Sequence, residues 1–283
     1  MYKFNPILKT MVWGTESWVL SGVPGNESAV AEGPDAGKKI TDIWPGQFPL
    51  LIKFIDAHKD LSIQVHPDDE LASKRHNCKG KTEMWYVINA SEGAHLLSGL
   101  KEKIDADKYV DLVEQDKIVS VLADYPVNAG DVFFLPAGRI HAIGGGCYIA
   151  EIQQTSDITY RIYDYGRLGL DGKPRQLHTQ EAKDAIDYTV HEDYRTHYVA
   201  RRNENVELVK CPFFTTSLLE LTEPFRLDTT DCGDFLIVIC MEGEGKIGEV
   251  SLKPGEAVLL TAKDGNQQIV PESSGIKLLT THI

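Results

Sequence analysis

The sequence lacks several features that would assign it to particular classes of protein. Among 283 residues, 29 Lys and Arg stand against 42 Asp and Glu. The resulting net charge of −13, with no basic run, would repel a nucleic acid. No apolar stretch approaches the roughly 18 residues of a transmembrane helix, and residues 1–18 lack the apolar region of a signal peptide. The five cysteines show no C-x-x-C spacing, which argues against a disulfide framework or a zinc knuckle. We therefore expect a cytoplasmic protein that binds neither nucleic acid nor membrane.

The sequence is rich in short β-branched and aromatic runs separated by Gly, Pro, Asn and Asp. Such runs occupy residues 50–55, 61–65, 84–89, 131–135, 148–153, 158–163, 235–240 and 257–260. Many short strands with frequent turns predict a mainly β fold of the sandwich or barrel type. Two segments favour helices instead, a charged one over about 101–125 and a shorter one over 180–188.

Two segments of the first half resemble two segments of the second half. Residues 128–135 resemble 253–260 at an offset of 125, and residues 83–88 resemble 234–239 at an offset of 151. The offsets differ by about the length of the charged helical segment between them. The simplest interpretation is two related β-barrels, the first with a helical insertion. Chance similarity between two strand–turn–strand sequences is the alternative.

This repeat predicts the domain organisation. Residues 1–190 would form the first barrel with its helical insertion at about 101–125, residues 191–206 a polar linker, and residues 207–283 a smaller barrel. The positions that match Glu83 and His141 in the second half are Asp234 and Asn266, with no histidine nearby. The second barrel is therefore expected to lack metal ligands.

Four side chains that can bind a metal ion lie on or beside predicted strands of the first half. Gln64 and His66 share one face of a strand because side chains alternate along it. Glu83 lies two residues after Lys81, and His141 follows a strand and a turn. If these strands line one barrel, two imidazoles, a carboxylate and an amide oxygen can converge on one divalent ion. This set suits Zn²⁺, with other divalent ions open.

Each of these residues also has a structural interpretation. A single histidine before a proline is more often a turn residue than a ligand, and a single glutamate is more often a solvated charge. The other histidines have no partner at a useful spacing, and we interpret them as structural or exposed: His58, His76, His95, His178, His191, His197 and His282.

Four motifs together resemble those of type I mannose-6-phosphate isomerase in its shorter bacterial form. They are Ile-Gln-Val-His-Pro-Asp at 63–68, Lys-Thr-Glu at 81–83, Pro-Ala-Gly-Arg-Ile-His-Ala at 136–142 and Tyr-Arg-Ile-Tyr-Asp-Tyr-Gly-Arg at 160–167. The resemblance implies two cupin-like (jelly-roll) β-barrels and one divalent ion, expected to be Zn²⁺. It also transfers the ligand role to Gln64, His66, Glu83 and His141.

The resemblance further implies that Arg161 is the catalytic residue and that Lys53, Lys81 and Asp157 bind substrate. Longer relatives have Lys-Pro-Glu and Arg-Ala-Gly where this chain has Lys-Thr-Glu at 81–83 and Arg-Ile-Tyr at 161–163. This departure preserves the proposed ligands and affects the loop around Arg161.

The function implied is the interconversion of mannose 6-phosphate and fructose 6-phosphate through an enediol, with a hexose 6-phosphate as the small-molecule partner. A cupin oxygenase with a two-histidine, one-carboxylate iron site and a non-catalytic sugar-phosphate-binding cupin are the alternatives. Arg167, Lys173 and Arg175 could bind the phosphate, although solvated surface charge is the favoured interpretation of all three. A homo-oligomer is left open.

Overall fold

The structure is a computed structural model that describes residues 1–230 and 232–283. Its residues group into two compact units. The central unit comprises Leu8–Glu16 and Pro49–Arg195, and the terminal unit comprises Met1–Ile7, Ser17–Phe48 and Thr196–Ile283. In this grouping 1–7 and 17–48 fall in the same unit as the C-terminal segment, whereas the expected boundaries assign them to the first barrel.

Strands dominate both units. In chain order the strands are β1 Tyr2–Phe4, β2 Ile7–Met11, β3 Gly14–Leu20, β4 Gly22–Val23, β5 Asn26–Glu27, β6 Val30–Glu32, β7 Leu50–Ala57, β8 Ile63–Val65, β9 Glu83–Ala90, β10 His95–Leu100, β11 Leu122–Pro126, β12 Val132–Leu135, β13 His141–Ile143, β14 Cys147–Gln154, β15 Tyr160–Tyr163, β16 Arg195–Thr196, β17 Asn205–Lys210, β18 Thr215–Leu221, β19 Phe225–Leu227, β20 Phe235–Ile247, β21 Val250–Leu252, β22 Ala257–Thr261 and β23 Gln267–His282. The helices are α1 Ile40–Ile43, α2 Asp69–His76, α3 Ala106–Glu114 and α4 Thr179–Ala185, with short 3₁₀ helices at Ile118–Val121 and Ala262–Asp264. The predicted mainly β fold is confirmed.

The central unit contains two sheets that present the candidate site. One runs in the order β11-β10-β13-β8-β15, and the other has β12-β9-β14-β7 as consecutive neighbours. Alternation along β8 places Ile63 and Val65, both fully buried, on the core side and leaves Gln64 half-buried on the other. Large buried side chains of the second sheet, such as Trp85 and Phe133, belong to a core cluster that also contains Leu96 and Ile143 of the first. Apolar packing of Ile63 and Val65 therefore fixes the sheet of β8 on the face opposite Gln64. In the other sheet, Trp85 shares one face with Glu83 and Glu151, so apolar and charged side chains lie side by side there.

The helical insertion is shorter than predicted. The Asp105 side chain accepts the backbone N–H of Lys108 and begins α3, and Asp116, with φ of 56°, takes up a left-handed conformation just after it. Residues 122–125, expected to be helical, instead belong to β11, which pairs with β10. The second predicted helix runs over Thr179–Ala185 and ends before Ile186. None of the helices in the described residues is long and apolar enough to cross a membrane.

The terminal unit repeats one strand–turn–strand element of the central unit. In the central unit the N–H of Gly130 donates to the carbonyl of Val87, and the N–H of Val87 donates to the carbonyl of Asp131. In the terminal unit Gly255, Cys240 and Glu256 make the same two bonds. Val87 and Cys240 are thus equivalent at an offset of 153, whereas the sequence suggested 151 for these strands.

The corrected register changes the residue that replaces Glu83 in the terminal unit. Leu135 lies opposite Glu83, and Leu260, its counterpart at an offset of 125, lies opposite Leu236. The equivalent of Glu83 is therefore the buried Leu236 rather than Asp234. Because side chains alternate along a strand, a shift of two residues leaves the hydrophobic pattern unchanged, and the pattern alone could not detect it.

Candidate metal centre and active site

One row of the five-stranded sheet brings three predicted site residues side by side. Gln64 of β8 lies between His141 of β13 and Arg161 of β15, directly opposite both. His66 follows the end of β8, and its carbonyl accepts the N–H of Gly138 in the turn before β13. The pairing of β8 with β13 and this turn contact place the two histidine rings 4.9 Å apart.

Glu83, at the start of β9, reaches both histidines. Its Oε2 lies 3.5 Å from His66 Nε2, and its Oε1 lies 3.3 Å from His141 Nε2. One ligand atom from each of the three side chains lies within 4.8 Å of the others, and all three residues are buried. Gln64 adjoins the group, with its Nε2 3.2 Å from His141 Nε2. The structure thus brings together the four predicted ligands.

Both imidazoles are oriented by backbone carbonyls. His66 Nδ1 lies 2.9 Å from the carbonyl of Ile158, and His141 Nδ1 lies 2.8 Å from that of Arg139. Each Nδ1 therefore carries the proton and donates it, and each Nε2 presents its lone pair to the shared centre. There His66 Nε2 accepts from Lys81 Nζ at 3.0 Å, and His141 Nε2 accepts from Gln64 Nε2. Burial, with the Lys81 ammonium nearby, holds the pKa of His66 well below its usual value and lowers the pKa of His141 to about 3. Both rings are neutral, as metal binding requires.

Glu83 supplies a further sign that the group suits a cation. Its Oε1 is buried without a hydrogen-bond partner among the described residues, and such an atom is costly unless something else satisfies it. Burial and the neighbouring Glu151 raise the pKa of Glu83, while Lys81 opposes that shift. Two neutral imidazoles and a carboxylate are a common donor set for divalent ions. Rotation of the Gln64 amide would add its oxygen as a fourth donor.

Three charged side chains, Glu151, Lys53 and Lys81, form a charge row on and beside the neighbouring sheet. Glu151 of β14 stands opposite Lys53 of β7 and Trp85 of β9. Its Oε1 accepts from Lys53 Nζ at 3.0 Å, and its Oε2 accepts from Trp85 Nε1 at 2.8 Å. Lys81 Nζ lies 2.6 Å from Glu83 Oε2 and 3.9 Å from Glu151 Oε1. Lys81 therefore joins the charge row to the proposed ligands.

The charge row fixes the protonation of its members. Burial alone would lower the pKa of Lys53, but Glu151 and Glu16 reverse the shift and raise it. Burial alone would raise the pKa of Glu151, but Lys53 and Lys81 reverse that shift and lower it. The row therefore holds a cationic Lys53 and an anionic Glu151 near neutral pH.

A cavity of about 110 Å³ opens beside this group. Its wall includes Lys53, Lys81, Gln64 and Arg161, so four predicted site residues face one space. Arg161 is half-buried and donates from Nη1 to the carbonyl of Gln176 at 2.9 Å. Asp157 is exposed and lies outside the set of described residues that line the cavity.

The structure also places in the cavity wall one residue that the sequence did not single out and one that it favoured as surface charge. Glu151 lines the cavity. The sequence feature that could have identified it is a single carboxylate inside an apolar strand, which is rare unless the charge is paired. Arg175, interpreted as surface charge, also lines the cavity and forms an ion pair with Asp164 at 2.5 Å. Nothing in its local sequence indicated this position. Lys173 is exposed, as expected.

Comparisons with known proteins point to one family. The family described as phosphomannose isomerase type I, catalytic domain, matches residues 9–95. Mannose-6-phosphate isomerase ManA of Bacillus subtilis is 31% identical over 91% of this chain and 91% of that protein. The chain belongs to the type I mannose-6-phosphate isomerase family. A second member of that family, from Streptococcus mutans, is 32% identical over 92% of this chain and 88% of its own.

Solved structures of the mannose-6-phosphate isomerase family share the fold. The Bacillus subtilis enzyme superposes with a TM-score of 0.90 at 28% identity, covering 100% of this chain and 99% of that one. A phosphomannose isomerase variant from Salmonella typhimurium, at 15% identity, superposes with a TM-score of 0.78, covering 100% of this chain and 99% of that one. Family membership confirms the isomerase interpretation of the sequence over the oxygenase and binding-module alternatives.

Proposed function

We propose that this chain interconverts mannose 6-phosphate and fructose 6-phosphate in the cavity beside His66, Glu83 and His141. The observation that carries the proposal is the convergence of these three buried ligand atoms next to a cavity lined by Lys53, Lys81 and Arg161. An aldose–ketose isomerisation moves a proton between two adjacent carbons and builds negative charge on two oxygens. A cavity that combines a metal-ion site with three positively charged side chains can stabilise that negative charge.

The proposed ligands are Gln64, His66, Glu83 and His141, and Zn²⁺ is the ion we expect. When bound there, a divalent ion would polarise substrate oxygens and stabilise their developing charge. The chain supports this role through the Nδ1–H bonds to Ile158 and Arg139, which fix both rings before any ion arrives.

Arg161 is proposed as the catalytic residue because its guanidinium keeps its charge at any working pH and lines the cavity. It would stabilise the negative oxygens of the enediol rather than remove a proton. Lys53, protonated through its contact with Glu151, would bind substrate as a hydrogen-bond donor, and Lys81 would do so beside the ligands. Asp157 is not among the described residues that line the cavity, and its role in substrate binding stays a prediction.

The phosphate group requires local positive charge in a protein of net charge −13. Arg167 and Arg175 both pair with Asp164, so two guanidiniums share one carboxylate. Arg161 lies close enough to this pair for their charges to lower its pKa, after burial itself. Three arginines against one aspartate leave an excess of positive charge beside the cavity, and we propose Arg175 as the phosphate contact.

A coupled assay with mannose 6-phosphate tests the proposal. We expect turnover that a chelator abolishes and that added Zn²⁺ restores. Arg161→Ala should lose roughly a hundredfold to a thousandfold in kcat and keep its metal. His66→Ala should lose both metal and turnover. Arg201→Ala is the matched control, because Arg201 is an exposed arginine that pairs with Glu204.

Two results would count against the proposal. Full turnover after complete metal removal would refute the metal centre, and wild-type kcat in Arg161→Ala would refute the role of that residue. Weaker mannose 6-phosphate binding in Arg175→Met, with kcat retained, would support the phosphate contact, whereas an unchanged KM would exclude it. Location in the cytoplasm stays a prediction.

A further inference from the structure

The strand that carries Arg161 is the last strand of its sheet, and its outer edge is covered. On its inner side β15 pairs with β8, where Arg161 faces Gln64. On its outer side it meets residues 176–178. The N–H of His178 donates to the carbonyl of Arg161 at 2.7 Å. The N–H of Arg161 donates to His178 Nδ1 at 3.1 Å.

An imidazole therefore occupies the place that a backbone carbonyl takes in an ordinary antiparallel pair. This arrangement requires His178 Nδ1 to be an acceptor, hence a ring with its proton on Nε2. The ring lies near Tyr160, with the two centroids 6.1 Å apart, and the Tyr160 hydroxyl lies 2.8 Å from His76 Nε2. Burial, with the Arg161 charge nearby, lowers the pKa of His178, which favours the neutral ring.

The same segment also holds the far end of the Arg161 side chain. Nη1 of Arg161 donates to the carbonyl of Gln176 at 2.9 Å. Nε of Arg161 is buried with no hydrogen-bond partner among the described residues. The backbone of Arg161 is thus held by His178, and the end of its side chain is held by Gln176. Beside the cavity, its Nε–H has no acceptor among the described residues.

We propose that His178 is a positioning residue for Arg161. This inference rests on the proposed function, because it assigns His178 a role through the residue that is proposed to stabilise the enediol. His178 accepts the Arg161 amide proton and so fixes the backbone from which the guanidinium extends towards the cavity. Its part in turnover is indirect, and it contacts neither substrate nor metal in this proposal.

Three variants separate the acceptor role from simple packing. His178→Phe keeps an aromatic ring beside Tyr160 and removes the acceptor. His178→Asn restores an acceptor oxygen near the position of Nδ1. Loss of one hydrogen bond predicts a kcat lower by about three- to tenfold in His178→Phe, with metal content unchanged. His178→Asn should recover most of that loss, whereas His178→Ala should not.

A double-mutant cycle supplies the readout that a merely structural role would not alter. In an Arg161→Ala background, His178→Phe should leave kcat unchanged, because the group it positions is absent. Amide hydrogen exchange gives a readout independent of turnover. The Arg161 N–H should exchange slowly in the wild type and in His178→Asn, and faster in His178→Phe.

The outcomes separate this inference from the proposed function. Wild-type protein without isomerase activity would end the proposed function, whatever the exchange data show. An active wild type with unchanged kcat and unchanged Arg161 exchange in His178→Phe would overturn the positioning role alone. Equal losses of kcat in both backgrounds, with no rescue by His178→Asn, would also overturn it.

Discussion

At the scale of single residues, each charged side chain beside the cavity is held in place by one or two polar partners. Asp164 is 6% exposed and accepts hydrogen bonds from Arg167 at 2.8 Å and from Arg175 at 2.6 Å. Without Asp164 the two guanidiniums would repel each other close to Arg161. The carboxylate therefore holds Arg175 at the cavity wall and limits the repulsion among the three arginines.

Asp164→Asn should lose stability in a pH-dependent way. Burial raises the pKa of Asp164, but Arg175 and Arg167 more than reverse this, so the pKa is lowered on folding. An unfolded aspartate binds a proton near pH 3.9, so the stabilising contribution is present above that pH and is lost as pH falls through the lower folded pKa. We expect Asp164→Asn to be less stable than wild type by about 2 kcal/mol at pH 7.

Urea unfolding between about pH 3 and pH 7 measures this difference. The difference in the free energy of unfolding between wild type and Asp164→Asn should become smaller as the solution becomes more acidic. Asp124→Asn is the control, since Asp124 is exposed on β11 and should change stability little at any pH. A gap that is constant across the range would contradict the assignment.

Residue by residue, the sequence was most informative where a side chain interrupts a pattern. Gln64 and His66 follow from alternation along β8, and their roles came with the family resemblance. Glu151 interrupts an apolar strand in the same way, yet its importance depends on Lys53 and Trp85, which lie far away in sequence and opposite it in the sheet. The position of Arg175 depends on the path of the loop after β15, for which no local pattern exists.

At the scale of elements, one turn aligns two of the proposed ligands. Gly138 has a φ of 88°, a left-handed conformation that other residues rarely adopt, and its N–H donates to the carbonyl of His66. A Cβ at this position would lie 3.0 Å from the carbonyl oxygen of Ala185. Through this hydrogen bond, the turn that precedes β13 and His141 is fixed to the end of β8, next to which His66 lies.

Gly138→Ala should weaken metal binding as well as stability. The left-handed conformation should cost about 1–3 kcal/mol with any other residue, and the new contact would shift the turn that aligns His66 with His141. Gly93→Ala is the matched control, because Gly93 has a φ of 80° and a Cβ added there would meet no atom within 4 Å. Competition with a chromophoric chelator measures Zn²⁺ affinity in both variants.

We expect both glycine variants to unfold at lower urea concentration and only Gly138→Ala to bind Zn²⁺ more weakly. Equal Zn²⁺ affinity in wild type, Gly138→Ala and Gly93→Ala would show that this turn does not align the ligands.

The elements themselves were predicted unevenly. The strand content followed from the short apolar runs, but residues 122–125, predicted as the end of the charged helical segment, belong to β11 because pairing with β10 overrides that local preference. The repeat was visible in the sequence, whereas its register, an offset of 153 rather than 151 for the strand of Glu83, is set by backbone bonds that no side-chain pattern records.

At the scale of the whole molecule, binding of a cation to the folded state alone should raise thermal stability. At an ion concentration about a hundred times the Kd, the gain is about 2.7 kcal/mol, which for a chain of this size corresponds to about 4–5 °C in Tm. Removal of metal by a chelator should lower Tm by this amount, and added Zn²⁺ should restore it. Calorimetry or thermal circular dichroism measures the shift.

The control for this shift is His141→Ala, which lacks one proposed ligand. Its Tm should respond little to chelator or to Zn²⁺. If the variant responded as the wild type does, the stabilising ion would have to bind elsewhere in the protein.

The repeated strand–turn–strand element has a consequence for how the centre is emptied and refilled. The terminal unit forms the same turn and the same pairing with Leu236 in place of Glu83. Backbone pairing and apolar side chains are thus sufficient to build this framework. Loss of the cation should leave the strands folded, so that an emptied protein can take up a new ion within the time of diffusion and binding, with no refolding step in between.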